Sequence, residues 1–266
     1  MNIDNSQWLR CYSQVFDFVE IDSTFYRTPN PFMVKNWYKR TPENFRFTAK
    51  FPKVITHDKR LNNVEKELEY FLESISGLEE KILALLIQLP PSLGLTEGIE
   101  GLREIVPELD KRFRYAVEVR DSSWFQDLAY NFFRNNNICM VWSQLAGIRT
   151  PPIVTTDFLY VRFIGDRSID EKDFGIIQKD RVAEMKKWAR KLKRIAETEK
   201  DRVNLAIVAA NNHYAGFGPG TANMFRKMVG LEEVTWKDKK IPLTEESKFS
   251  TDSKQTTLSD FSIKHT

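Results

Sequence analysis

The sequence predicts an α/β protein of the TIM-type (β/α) barrel class. Strand-like and helix-like segments alternate along the chain, with seven strands visible, which is the pattern of a parallel sheet covered by helices. Polar residues end nearly every strand, where a barrel builds its site. No Gly-rich dinucleotide fingerprint follows any strand, which argues against the open doubly wound alternative.

Each element has its own signal. Trp8, Leu9, Tyr12 and Val15 recur at helical spacing within residues 1–16. Residues 17–22 alternate as a strand, with Val19 and Ile21 opposite Phe18, Glu20 and Asp22. Asn30-Pro31 opens a helix by cap and first-turn preference, and Thr41-Pro42 stops it. In the strand 45–51, Phe45, Phe47, Ala49 and Phe51 oppose Arg46, Thr48 and Lys50. A helix over 61–76 ends at Gly77. The nearly continuous apolar run 82–89 reads as a strand buried on both faces. A helix near 97–109 leads to the strand 113–120, and a helix over 123–135 to the strand 138–143. The strand 157–165, the long basic helix 180–198 and the strand 203–212 follow, and Pro219 opens a last helix to about Val229.

Composition bounds the functional classes. Of 266 residues, 41% are hydrophobic and 29% charged, ordinary for a globular protein, and the net charge of +3 neither demands nor excludes a nucleic-acid partner. Two cysteines, Cys11 and Cys139, imply no disulfide framework. Three histidines, His57, His213 and His265, are too few for a histidine-rich multi-zinc centre. With no signal peptide and no apolar run of membrane-spanning length, the expected localisation is cytoplasmic, with no membrane partner.

Strand parity supplies a candidate site. Glu20 shares a face with Asp22, Thr48 with Lys50, Glu118 with Arg120, and Arg162 with Tyr160. Gln88 ends the third strand, and Asn211-Asn212 ends the last. In a barrel these faces converge on the C-terminal mouth. Tyr26, His57, Trp124 and His213 lie in the loops beyond. Lys50, Arg120 and Arg162 could hold an anion, the arginines as planar forks. Glu20 and Glu118 could act as general base and acid, or bind a divalent metal cation with Asp22. His57 could move protons near neutral pH, and Tyr26 and Trp124 could stack on a ring. The competing expectation is a buried structural network in which these charges neutralise one another. The basic helix carries Lys186, Lys187, Arg190, Lys191, Lys193 and Arg194 and reads as a solvated outer face.

Several of these segments together resemble the YecE-like family, the domain of unknown function numbered 72. They are FDFVEIDSTFYRTP, FRFTAKFPKVITHDKRL, LLIQLPPSL, RYAVEVRDSSWF, FLYVRFIG and ANNHYAG, and the resemblance covers about residues 8–230. It implies a TIM-type barrel and no settled reaction. Family members usually begin with a strand and a Gly-Thr-Ser-Gly-Trp-like loop before the first helix, whereas Met1 stands almost on that helix. The expectation is therefore a barrel with its first strand missing or truncated, which would leave two strand edges unpaired.

Residues 1–232 are assigned to the barrel domain and 233–266 to a polar flexible tail. Within the tail, residues 254–262 resemble the PIP box, the peptide that binds DNA sliding clamps. A single 3₁₀ turn would present Leu258 and Phe261 to an apolar pocket with Gln255 hydrogen-bonded beside it, although Ser262 replaces the usual second aromatic. The expected function is an enzyme acting on a phosphorylated or nucleic-acid substrate by metal-assisted phosphodiester hydrolysis, recruited to a clamp by its tail. The alternatives are a sugar or sugar-phosphate enzyme of isomerase or hydrolase type, and a non-catalytic nucleic-acid- or clamp-associated binding protein.

Overall fold

A computed structural model describes residues 7–145, 147–166 and 168–235. The clamp-like motif, with Gln255, Leu258 and Phe261, lies outside the described residues. The chain opens with α1 (Trp8–Tyr12), β1 (Phe18–Ile21), α2 (Ser23–Tyr26), α3 (Pro31–Lys39) and β2 (Arg46–Lys50). It continues through α4 (Glu65–Ile75), β3 (Ile82–Gln88), α5 (Leu95–Ile105), β4 (Tyr115–Glu118), α6 (Asp127–Asn135) and β5 (Ile138–Met140). Then come β6 (Trp142–Leu145), β7 (Ile148–Arg149), β8 (Phe158–Gly165), α7 (Val182–Thr198), β9 (Leu205–Ala210), α8 (Asn212–Ala215) and α9 (Gly218–Val229).

The strands form two sheets, β1-β2-β3-β4-β5 and β7-β6-β8-β9. All pairings are parallel except the small β6–β7 hairpin. A single residue, Val141, separates β5 from β6, and its amide still bonds to the Val117 carbonyl. Residues 138–145 thus make one extended run that hands the chain from the first sheet to the second. The two sheets face each other across an interior of Ala84, Leu86, Ala116, Cys139, Tyr160 and Ile207. Residues of the opposite parity, such as Phe47, Ile87 and Val117, pack outward among Trp37, Phe71, Leu102 and Phe133 of the surrounding helices. Val161 and Phe163 pack outward on Trp188 and Phe225. The continuous apolar run of β3 follows from this double burial.

Among the described residues no ladder joins β9 to β1. What the structure establishes is a curled parallel α/β sheet with an open seam, not the closed barrel of the general class. The seam is an apolar groove of about 600 Å³ lined by Phe18, Leu83, Leu205, Ile207, Leu192 and Phe225, among others. At its rim Arg226 of α9 pairs with Asp17, just before β1, at 3.0 Å.

Several boundaries differ from the sequence expectation for local reasons. Asn30 caps α3 as expected, accepting from the Met33 amide at 2.9 Å. The helix expected from 61 starts at Glu65, because Arg60, Leu61 and Asn63 all adopt positive φ. Its α-helical part stops at Ile75 and a 3₁₀ segment runs to Lys81, so Gly77 does not end it. The stretch expected as one helix over 123–135 is a 3₁₀ turn, Ser122–Trp124, capped by Asp121, followed by α6. A π-helical turn at Val54–Asp58, not anticipated, carries His57.

Candidate functional site

The strand ends of β1, β2, β4 and β8 converge on one charged cluster. Arg162 is its centre, buried with 3% exposure between two carboxylates that have none, Glu20 and Glu118. Its guanidinium grips Glu20 as a fork, Nε to Oε2 at 2.9 Å and Nη2 to Oε1 at 2.5 Å, and Nη1 donates to Glu118 Oε2. Gln88 Oε1 lies 3.5 Å from the same Nη1. Tyr160, on the same face of β8 as Arg162, donates to Glu20 Oε2 and lies 2.8 Å from the Thr48 hydroxyl. Asp22 occupies the N-cap position of α2, just past β1, with no side-chain capping hydrogen bond. Its Oδ1 finds no well-directed hydrogen bond and is instead neutralised by the Lys50 ammonium at 2.5 Å, which also stands 3.8 Å from Glu20.

Three carboxylates thus meet three cations in a nearly dry site. Isolated, any of these charges would be costly to bury. Burial pushes the Glu118 carboxyl up, but Arg162, Arg120 and Lys50 outweigh it and hold it down at about 2. Asp22 is lowered in the same way: burial opposes, and Lys50 and Arg162 prevail. The Tyr160 phenol is pushed up by burial and by Glu20, so it stays a hydrogen-bond donor. For Arg162, burial opposes the charge while Glu118 and Glu20 raise its pKa well above the ordinary value.

Toward the mouth the balance changes. Arg120 donates Nε to Glu118 Oε1 at 2.7 Å. Among the described residues its two Nη groups have no hydrogen-bond partner. His57 sits nearby, half-buried, with Nδ1 2.8 Å from the Thr56 hydroxyl, which in turn donates to the Pro52 carbonyl at 3.4 Å. Either Thr56 or Nδ1–H can be the donor of the 2.8 Å bond, according to the ring tautomer. Burial lowers the His57 pKa, and Arg120 and Lys53 lower it further against an opposing push from Asp58. These effects together favour the neutral ring. The Phe25 ring stands edge-on to it at 4.9 Å, and Tyr26 stands edge-on to Phe25 at 5.2 Å.

The structure brings together Glu20, Asp22, Lys50, Gln88, Glu118, Arg120 and Arg162 and places His57 and Tyr26 along the adjoining rim. Other expected site residues do different work. Trp124 is fully buried, donating to the Leu93 carbonyl at 2.9 Å and stacked on Phe133 at 5.9 Å, so it offers no face to a ligand. Asn211 caps α8 by accepting from the His213 amide at 2.9 Å, and Asn212 accepts from the Gly218 amide at 2.6 Å. His213 is edge-on to Phe174 at 4.9 Å, and its Nε2 is 3.4 Å from Glu171. Lys53 and Phe25 are the residues of this region that sequence reasoning missed. Tyr160, on the face of Arg162 by strand parity, takes its place in the cluster as a hydrogen-bond donor to Glu20.

The donors do not fit a metal ion. Glu20, Asp22 and Glu118 are each engaged by cations, and among the described residues no group of three or more His, Cys, Asp and Glu is arranged to hold one. Among the described residues, no helix is long and apolar enough to cross a membrane.

Comparison with known proteins agrees with this architecture. The UPF0759 protein YecE of Escherichia coli K12 is 34% identical over 114 residues, covering 43% of this chain and 42% of the relative. The UPF0759 protein YunF of Bacillus subtilis 168 is 29% identical over 129 residues, covering 46% of this chain and 45% of the relative. The matches thus span under half the length of these curated relatives. A DUF72 family protein from Thermotoga maritima superposes with a TM-score of 0.70 at 26% identity, covering 86% of this chain and 91% of that one. Another from Enterococcus faecalis V583 superposes with a TM-score of 0.72 at 24% identity, covering 85% and 95%, and supports the fold alone. The family profile described as protein of unknown function DUF72 matches residues 2–246, and the chain belongs to that family.

Proposed function

We propose that the strand-end mouth binds an anionic group of a small substrate and that the protein is an enzyme acting on a phosphorylated compound. The observation that carries this is Arg120. Anchored through Nε on Glu118, it keeps both Nη groups without a hydrogen-bond partner among the described residues, and its charge helps lower the His57 pKa. Such a fork suits phosphate or carboxylate geometry. Arg162 and Lys50 are committed to inner carboxylates, so they hold the charge balance of the cluster. The His57 imidazole is the group that would take or return a proton near neutral pH. The inner carboxylates Glu20 and Glu118, neutralised by Arg162, are positioning residues in this scheme and not the acid–base pair expected from sequence. We read the curled sheet as a barrel of TIM type with its mouth on this side, the end where such barrels carry their sites.

The test is thermal stabilisation by inorganic phosphate. The wild type should gain stability with rising phosphate at constant ionic strength, and Arg120→Gln should lose that gain. Equal gains in both proteins would remove Arg120 from the site. Clamp recruitment by residues 254–262 stands as a separate proposal on the sequence. A peptide spanning 250–266 should bind a sliding clamp of archaeal or eukaryotic type, and the Leu258→Ala, Phe261→Ala peptide should not.

A further inference from the structure

Beside the anion site lies a surface that its chemistry leaves unused. Tyr26 ends α2 with 68% of its surface exposed, and Phe32, in the first turn of α3, is 70% exposed. Scattered exposed aromatics are ordinary, but Tyr26 is not isolated. Phe25 packs edge-on against both Tyr26, at 5.2 Å, and His57, at 4.9 Å. A continuous row of rings therefore runs from solvent to the imidazole. The charges of Arg120 and Lys53 act on the imidazole at its inner end; among the described residues the Arg120 Nη groups have no hydrogen-bond partner, while Lys53 is paired with Asp58 at 2.8 Å. A planar ring can stack on the outer aromatic while an attached anion reaches the arginine fork. The two recognition elements differ in kind, apolar face and cation, and one ligand class carries both.

Resting on the anion-binding proposal above, we infer that the mouth takes a nucleotide, its base stacked on Tyr26 and its phosphate on Arg120. Stacking is tolerant of base identity because every base presents a π-face. The shelf therefore selects a nucleotide over a bare sugar phosphate and discriminates little among bases. Tyr26 is suited to the role because little of the fold depends on it: its side chain is largely in solvent, and among the described residues its ring contact is the edge-on one with Phe25.

The test is calorimetric titration of the full-length protein with AMP, ribose 5-phosphate, adenosine and inorganic phosphate, in wild type and Tyr26→Ala. AMP should bind the wild type roughly ten-fold more tightly than ribose 5-phosphate. Tyr26→Ala, with its melting temperature unchanged, should erase that advantage and leave ribose 5-phosphate affinity as it was. Equal affinities for AMP and ribose 5-phosphate in the wild type would overturn the base shelf and leave the anion site standing. So would an AMP advantage that survives Tyr26→Ala. Adenosine binding as tightly as AMP, with no binding of phosphate, would overturn the anion site and keep the shelf. No binding of any of the four would overturn both.

Discussion

Arg162 is the residue on which the interior depends. It neutralises two carboxylates with no solvent exposure, Glu20 and Glu118, that otherwise have partial partners in Lys50, Tyr160 and Arg120. Removing one member of a buried ionic cluster leaves the rest uncompensated, so Arg162→Met should cost about 3–5 kcal/mol of unfolding free energy. Adding Glu20→Gln and Glu118→Gln should recover part of that loss, which urea denaturation of the single and triple variants would measure. Acid sensitivity follows from Glu118. Its carboxyl sits at about 2 in the folded protein against an ordinary 4.5. A folded value below the unfolded one means that its contribution is complete above about pH 4.5 and is lost as pH falls toward 2. Unfolding free energy should therefore drop across that window, and Glu118→Gln should flatten the drop. At this scale much was legible: period-two alternation put Glu20, Lys50, Glu118 and Arg162 at strand ends on consistent faces. Parity reports a face and not a distance, so it could not show that Arg162 bridges both glutamates. Nor could it show that Trp124 turns inward onto Phe133, because burial of a loop side chain is decided by packing from elsewhere in the chain.

At the scale of elements, the joints hold most of the specificity. Gly165 ends β8 at φ 84°, and a Cβ there would stand 2.2 Å from the His213 carbonyl oxygen. The close approach of β8 to α8 therefore requires glycine. Gly165→Ala should destabilise by more than about 1 kcal/mol, read as a lowered denaturation midpoint, and should shift backbone amide resonances in 211–215. The order of strands and helices was readable from alternation alone. The π-helical turn that presents His57 was not, because its sequence, VITHD, has no period to distinguish it from an ordinary turn. The helix break before Glu65 depends on three residues at positive φ, including Leu61, whose identity gives no warning of it.

The whole molecule combines a saturated charged interior, a cationic mouth and an open seam. The edges of β1 and β9 that face the groove have no ladder partner among the described residues. β3 and β4 are flanked on both sides. Hydrogen exchange should accordingly be faster at the seam-side amides of β1 and β9 than anywhere in β3 or β4. Family membership sets the architecture in which the mouth sits. Function remains a matter of the site itself. The most direct measurement of the anion-binding mouth is the pKa of the His57 imidazole by NMR, with and without inorganic phosphate at matched ionic strength. Free protein should titrate below 6.5, because burial, Arg120 and Lys53 all disfavour the charged ring. Phosphate bound at Arg120 should raise that pKa by adding negative charge beside it, and the rise should vanish in Arg120→Gln. A His57 pKa that phosphate leaves unchanged would contradict the proposal.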